Sequence, residues 1–169
     1  MAKITLQGNE IHTSGNLPEI GSRAPDFTLV NKDLEDVSLS TFPGKRKILC
    51  IVPSLDTPVC AVSAKKFDEY AKEYDDTVTL VISADLPFAS SRFCLSENLE
   101  QVITLSVMRS QNFAKDYGVL IESGPLSGIT ARAIVVLDQK NSVIHTELIS
   151  EIAHEPDYKA ALLALGRMH

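Results

Sequence analysis

Lys47-Ile-Leu-Cys-Ile-Val-Pro53, running on through Ser54-Leu-Asp-Thr-Pro-Val-Cys60, is the stretch on which the reading of the whole chain turns. Its first half is a compact apolar run closed by a proline, the pattern of a buried strand. Its second half opens a helix. Thr57 fits the N-cap, and Pro58 fits the first helical position, where a missing N–H is no loss. Val59, Val62, Phe67, Tyr70, Ala71 and Tyr74 recur at spacings near three and four, which predicts one buried stripe along a helix over 57–74.

Working outward, Thr77–Ser83 reads as the next strand, Ala89–Leu99 as a helix, Val102–Ser106 as a strand, and Ser110–Tyr117 as a short helix closed by Gly118. Ala131–Leu137 and Ser142–Leu148 form the clearest hairpin, turning over Asp138–Asn141, and a last helix follows from about Pro156 to Leu165. Towards the N-terminus, Phe27-Thr-Leu-Val30 and Asp36-Val-Ser-Leu39 look like two short strands behind a breaker-rich loop over 18–26. Residues 3–13 predict a hairpin pivoting at Gly8-Asn9. Strand–helix–strand followed by a hairpin and a terminal helix predicts α/β layers: a central mixed sheet flanked by helices, with an added N-terminal β-hairpin.

At 169 residues one domain spanning 1–169 is expected. The net charge of −6 gives no electrostatic reason to bind nucleic acid or an anionic membrane. No run approaches the roughly 18 apolar residues of a membrane span, and the first residues lack the apolar core of a secretory signal, so the expected compartment is the cytoplasm. Cys50, Cys60 and Cys94 are too few for a disulfide scaffold. They share no paired ligand spacing, and His12, His145, His154 and His169 are scattered, so no metal is expected. No glycine-rich phosphate loop sits between a strand and a helix, which speaks against nucleotide use and leaves no cofactor in view.

Cys60 falls in the first turn of its helix, where free backbone N–H groups and the helix dipole favour negative charge. A free cysteine ionises near pH 8.5, and helix N-termini with nearby cations lower that value. Position alone leaves a reactive and a structural Cys60 equally open, because buried cysteines are common core residues. Cys50 lies inside the strand's apolar run and reads as core. Cys94, in Ser-Ser-Arg-Phe-Cys-Leu-Ser-Glu, is either a partner thiol or an idle surface residue. Arg132 reads as a surface ion pair at a strand start, Pro53 as a strand terminator, and Asp68-Glu69 with Glu73, Asp75 and Asp76 as a solvated helix face.

Pro53, Thr57 and Cys60 match the Pro-xxx-Thr-xx-Cys pattern of peroxiredoxins, and the longer string Pro-Ser-Leu-Asp-Thr-Pro-Val-Cys resembles the bacterial thiol peroxidase branch, of the atypical two-cysteine kind. Leu86-Pro-Phe-Ala-Ser-Ser-Arg-Phe-Cys94 is similar to the segment that holds that branch's resolving cysteine. Tyr117-Gly-Val, Gly124-Pro-Leu, Ala131-Arg-Ala and the extra hairpin extend the resemblance over nearly the whole chain. One departure is visible: Leu-Ser-Glu-Asn-Leu-Glu, after Cys94, lacks the glycine the resemblance implies there.

The resemblance implies a thioredoxin-like fold and reduction of hydrogen peroxide and organic hydroperoxides. In it Cys60 is the peroxidatic thiolate, Cys94 resolves the Cys60 sulfenic acid as an intramolecular disulfide, and thioredoxin recycles the enzyme. It also implies a homodimer without metal or haem. Arg132 then supplies a permanent cation to the sulfur and the leaving oxygen, Thr57 offers its hydroxyl to the peroxide, and Pro53 shields the site from water. A disulfide needs Cα atoms within about 7 Å, so local unfolding around both cysteines is expected during turnover. Two rivals stay open on the residues. A thiol-transfer protein of the same fold usually carries Cys-x-x-Cys, but here Ala61-Val62-Ser63 follows Cys60. A non-catalytic binding module would leave Cys60 unreactive.

Overall fold

The computed structural model describes residues 1–110 and 112–166. The chain begins with a hairpin of β1 (Lys3–Leu6) and β2 (Asn9–His12). Its pivot is Gln7 and Gly8, at φ 50° and 82°, one residue earlier than Gly8-Asn9. A two-residue loop that matches the strand twist with positive φ at both central positions needs this left-handed pair, and Gln7 with Gly8 supplies it.

Then follow β3 (Leu29–Val30), β4 (Asp36–Val37), a 3-10 turn (Leu39–Thr41), β5 (Arg46–Ile51), α1 (Pro58–Ala71) and β6 (Thr77–Ser83). The second half holds α2 (Pro87–Ser96), β7 (Ile103–Ser106), α3 (Phe113–Asp116), β8 (Ala133–Leu137), β9 (Val143–Leu148) and α4 (Tyr158–Ala164). Of the positions discussed from sequence, Gln111, inside the short helix expected over 110–117, and His169 lie outside the described residues.

Seven strands form one mixed sheet in the order β4-β3-β7-β6-β5-β8-β9. β5 and β7 run parallel to β6, while β8 runs antiparallel to β5 and β9 antiparallel to β8. This is the thioredoxin-like α/β arrangement expected from the element order. Alternation along the strands divides the core. Leu49, Ile51, Leu80, Ile82, Val135 and Leu137 pack on one face with the N-terminal hairpin and Phe113 of α3. Ile48, Cys50, Val52, Val81, Ile134 and Val136 pack on the other, beneath Cys60 and Phe67 of α1, Phe93 and Cys94 of α2, and Ala161 of α4.

The buried face of α1 differs from the stripe expected. Cys60, Ser63, Ala64, Phe67 and Asp68 point inward, whereas Val62 is 41% exposed. The helix is turned so that Cys60, Ala64 and Phe67 join the core on the sheet, while Ser63 and Asp68 find polar partners on α4 and on the segment before β7. The Ser63 and Tyr158 hydroxyls share a hydrogen bond of 3.0 Å. One oxygen of Asp68 accepts the backbone N–H groups of Glu100, Gln101 and Val102 at 3.1, 2.7 and 3.0 Å. Asp68 is therefore a buried anchor at 3% exposure and not part of a solvated acidic face.

α2 begins two residues before the expected Ala89, with Pro87 in its first turn, and ends earlier than Leu99. Asn98 adopts φ 55°, the N–H of Leu99 donates to the Cys94 carbonyl at 2.9 Å, and that of Asn98 donates to the Leu95 carbonyl at 3.4 Å. This is the paired bonding of a Schellman cap. Asparagine is the residue after glycine that best tolerates the left-handed position, so Asn98 fills the place of the missing glycine.

Gly118 ends α3 at φ 69°, and a Cβ there would run into the backbone carbonyl of Asn16. Left-handed strain and overpacking together should make Gly118→Ala cost about 3 kcal/mol. The check is a urea titration, in which the midpoint falls with little change in slope.

Candidate active site

Three features of the topology converge at the end of β5. Ile51 pairs with Ala133 across the antiparallel β5–β8 ladder, so the residue before β8 arrives where the chain leaves β5. The N–H of Val52 still donates to the Ile82 carbonyl at 2.9 Å, and Pro53, with no N–H to give, stops the ladder. The Thr130 hydroxyl donates to the Val52 carbonyl at 2.8 Å and clamps the two strand ends together. Arg132 has the parity of Ile134 and Val136, which places it on the face covered by α1.

The result is a buried pair. Arg132 donates from Nη1 to the Cys60 Sγ at 3.0 Å and from Nε to the Ile152 carbonyl at 2.8 Å. Arg132 is 2% exposed and Cys60 is 0% exposed. No ion pair among the described residues involves Arg132, so the surface ion pair read from its sequence position does not form. A buried guanidinium calls for a counter-charge, and the atom that its Nη1 meets is the Cys60 sulfur. Thr57 makes no side-chain cap to the N-terminus of α1.

Thr57 occupies the N-cap with extended backbone angles, but its hydroxyl donates to the Ser54 carbonyl at 2.9 Å and does not cap the helix amides. It stands on the rim of a cleft of about 240 Å³ with Pro58, Ala61, Arg92, Phe93 and Glu97. The Pro53–Thr57 loop is held from below by Asp85, whose carboxylate accepts the Ser54 hydroxyl at 2.8 Å, the Leu55 N–H at 2.7 Å and the Ser83 hydroxyl at 2.8 Å. Sequence reasoning passed over Asp85. The signal available was an acid standing between the end of a strand and the Leu86-Pro87 start of a helix.

Cys94 lies on the inner side of α2 at 7% exposure, so it is no idle surface residue. Its Sγ faces the Thr104 hydroxyl at 4.0 Å and lines a cleft of about 570 Å³ with Lys32, Phe42, Leu99 and Thr104. Burial pushes its thiol up, against a smaller opposing effect of Thr104. Cys50 is core, 1% exposed in β5, and its thiol is raised to about 12, first by burial and then by the nearby Cys60. All three cysteines are free, and all three belong to the same core cluster. His12 sits beside Glu10 on β2, His145 is on β9 and His154 is exposed. Among the described residues no three His, Cys, Asp or Glu side chains converge as a metal requires. No described helix is long and apolar enough to cross a membrane.

The N-terminal hairpin is tied to this site. The Thr5 N–H donates to the Ser150 carbonyl at 2.7 Å, and the Ile152 N–H donates to the Thr5 carbonyl at 3.0 Å. Between them, the Glu151 carboxylate accepts the N–H groups of Gly8 and Ala153 and the Thr5 hydroxyl, at 2.9, 3.0 and 3.1 Å. The hairpin therefore fixes the loop whose Ile152 carbonyl holds Arg132.

Residues 19–162 match the Redoxin family. The chain is 53% identical over 166 residues to a thiol peroxidase of Mycobacterium bovis (strain ATCC BAA-935 / AF2122/97), covering 98% of this chain and 99% of the relative. Its fold is similar to that of a peroxiredoxin-like protein from Aquifex aeolicus, with a TM-score of 0.91 and 36% identity over 99% of this chain and 98% of the other. It is likewise similar to a thiol peroxidase from Chromobacterium violaceum, with a TM-score of 0.90 and 26% identity over 97% and 95% of the two chains.

Two predictions arise from these environments. Backbone N–H groups, chiefly of Ala153 and Gly8, hold the Glu151 carboxyl at about 2 against an ordinary 4.5. A depressed acid stabilises the fold above its unfolded value and loses that contribution as pH falls towards the folded one. Thermal melts of wild type and Glu151→Gln should therefore differ most above pH 4.5 and converge as pH approaches 2. Cys50, raised to about 12, should resist iodoacetamide in the folded protein at about pH 8 and react once it is denatured, as read by peptide mass mapping.

Proposed function

The chain belongs to the thiol peroxidases of the Redoxin family, and on that premise we propose a two-cysteine cycle in which Cys60 attacks the peroxide and Cys94 resolves the product. Reduction of peroxide by a thiol is the activity; the residue roles, the reductant and the assembly are the proposal. The observation that carries it is the buried Arg132–Cys60 contact of 3.0 Å. A donor aimed at a fully buried sulfur, without a carboxylate to neutralise it, suits a site in which negative charge resides on sulfur and then moves to oxygen.

In the first step the Cys60 thiolate attacks the near oxygen of ROOH. The S–O bond forms as the O–O bond breaks, sulfur is oxidised to a sulfenic acid, and the leaving alkoxide or hydroxide takes up a proton to become ROH or water. Arg132 meets the charge at both ends of this displacement. Thr57, standing at the rim with its hydroxyl proton directed to Ser54, has oxygen lone pairs free to accept from the peroxide's O–H. Pro53, buried where the chain leaves β5, shields the site from water.

In the second step the Cys94 thiol displaces water from the sulfenic acid, forming the Cys60–Cys94 disulfide. Because both sulfurs sit under helices in the reduced protein, the ends of α1 and α2 open to bring them together. A dithiol reductant, thioredoxin as the family resemblance suggests, then takes the disulfide's oxidising equivalents and returns two thiols. The whole of 1–169 acts as one domain, cytoplasmic and paired as a homodimer, with hydrogen peroxide and organic hydroperoxides as substrates.

The test is peroxide consumption coupled to thioredoxin, thioredoxin reductase and NADPH. Cys60→Ser should abolish turnover, Cys94→Ser should spare the first peroxide equivalent but block thioredoxin-linked cycling, and Arg132→Met should lower the first step by about 10²-fold. A Cys94→Ser enzyme that cycles like wild type removes Cys94 from the resolving role. A wild type that reduces disulfides but consumes no peroxide replaces the peroxidase reading with thiol transfer.

A further inference from the structure

The segment that carries Cys94 is pinned at both ends, and both pins are carboxylates attached to the elements around Cys60. At the entry, Asp85 binds Ser54 and Leu55 of the loop before α1. At the exit, Asp68, on α1 itself, gathers the N–H groups of Glu100, Gln101 and Val102 on one oxygen, while its other oxygen lies 3.8 Å from Lys72. The weak points lie between. Asn98 holds a left-handed conformation without being glycine, and the Ser90 hydroxyl is buried on the inner side of α2 with no hydrogen-bond partner among the described residues. Leu95, next to Cys94, is 77% exposed, so its side chain adds no buried contact to a turn held down by Phe93 and Cys94 alone.

From this we infer that Asp68 is a positioning residue for disulfide formation: it keeps the exit of the resolving segment fixed to α1 while residues 86–99 open. The inference rests on the two-cysteine cycle. Its geometry follows from chain lengths. Cys60 and Asp68 are eight residues apart in one helix, about 12 Å along the axis. Cys94 is six residues from Glu100, and six extended residues span about 20 Å. From Asp85 the reach over nine residues is about 30 Å. Both tethers allow Cys94 to reach Cys60 with the anchors intact. A short tether also keeps the thiol at high effective concentration near the sulfenic acid, whereas loss of the exit anchor would lengthen the free loop and dilute it.

Hydrogen exchange on the full chain, reduced and after one equivalent of hydrogen peroxide, tests this without any variant. Peptides within 87–99 should lose protection by about tenfold or more, while the amides of 100–102 stay within about threefold of the reduced protein. Rapid mixing adds the kinetic split. Asp68→Ala lets the exit run free as far as Ile103 of β7 and should slow disulfide closure about two- to threefold while leaving the peroxide step unchanged, and Asp68→Asn, which keeps an acceptor oxygen, should recover most of the loss. If peptide mapping finds no Cys60–Cys94 disulfide, the two-cysteine cycle falls and the clamp with it. If the disulfide forms but protection at 100–102 is lost, the clamp alone is overturned. Wild-type closure in Asp68→Ala, or equal slowing of both steps, overturns it too.

Discussion

A guanidinium shut away from water must be satisfied on every side, and much of this molecule is arranged to do that for Arg132. Its Nε is taken by the Ile152 carbonyl and its Nη1 by the sulfur of Cys60. Neither partner is a carboxylate, so the positive charge keeps its attraction for whatever negative charge arises at sulfur. In water a single such contact would be screened to a small effect, but in a dry site it is several times stronger. The antiparallel entry of β8 beside β5 brings the arginine there, and the first turn of α1 brings the cysteine.

The N-terminal hairpin belongs to the same account. It covers the sheet face opposite α1, yet its edge reaches around to residues 150–152. A carbonyl on a free loop would be a poor partner for a buried cation, because the loop would have to be ordered each time. Bonding through Thr5 and Glu151 orders it in advance. The hairpin thus acts on the chemistry at one remove, through the position of one carbonyl oxygen.

The strands, the sheet class and the motif around Cys60 were legible in the sequence because they depend on local pattern: an apolar run, a proline that ends it, a Thr-Pro helix start. What was not legible depends on partners far along the chain. Asp68 looked like one acid among several on a helix, and only the folded exit of α2 reveals that three amides converge on it. The α1 stripe was misplaced for a related reason, since Cys60, Ser63 and Asp68 are not residues a hydrophobic periodicity counts. Arg132 by position alone looked like a strand-start ion pair, and only the resemblance placed it at the sulfur; the β5–β8 register is the physical reason it gets there. Asn98 shows the opposite case: the glycine that the resemblance implies after Cys94 is absent, yet a left-handed asparagine keeps the cap.

A resolving cysteine faces two opposed demands. It must be kept away from oxidants and solvent while the enzyme waits, and it must be released quickly once the sulfenic acid forms. Burial of Cys94 under α2, with its thiol pushed up, meets the first demand. The second needs a helix whose opening is cheap, and α2 has the means in its buried Ser90 hydroxyl, which no described residue satisfies, and in a cap that is formed but carries more strain at Asn98 than glycine would. A helix weak throughout would also release its ends, and the thiol would wander. Strong anchors outside a weak helix reconcile the demands: opening is easy, yet the opened chain stays close to where it is needed. The Cys94 carbonyl itself accepts the capping bond from Leu99, so opening of the cap reaches the backbone of the residue that has to move, and the last turn of α2 must follow.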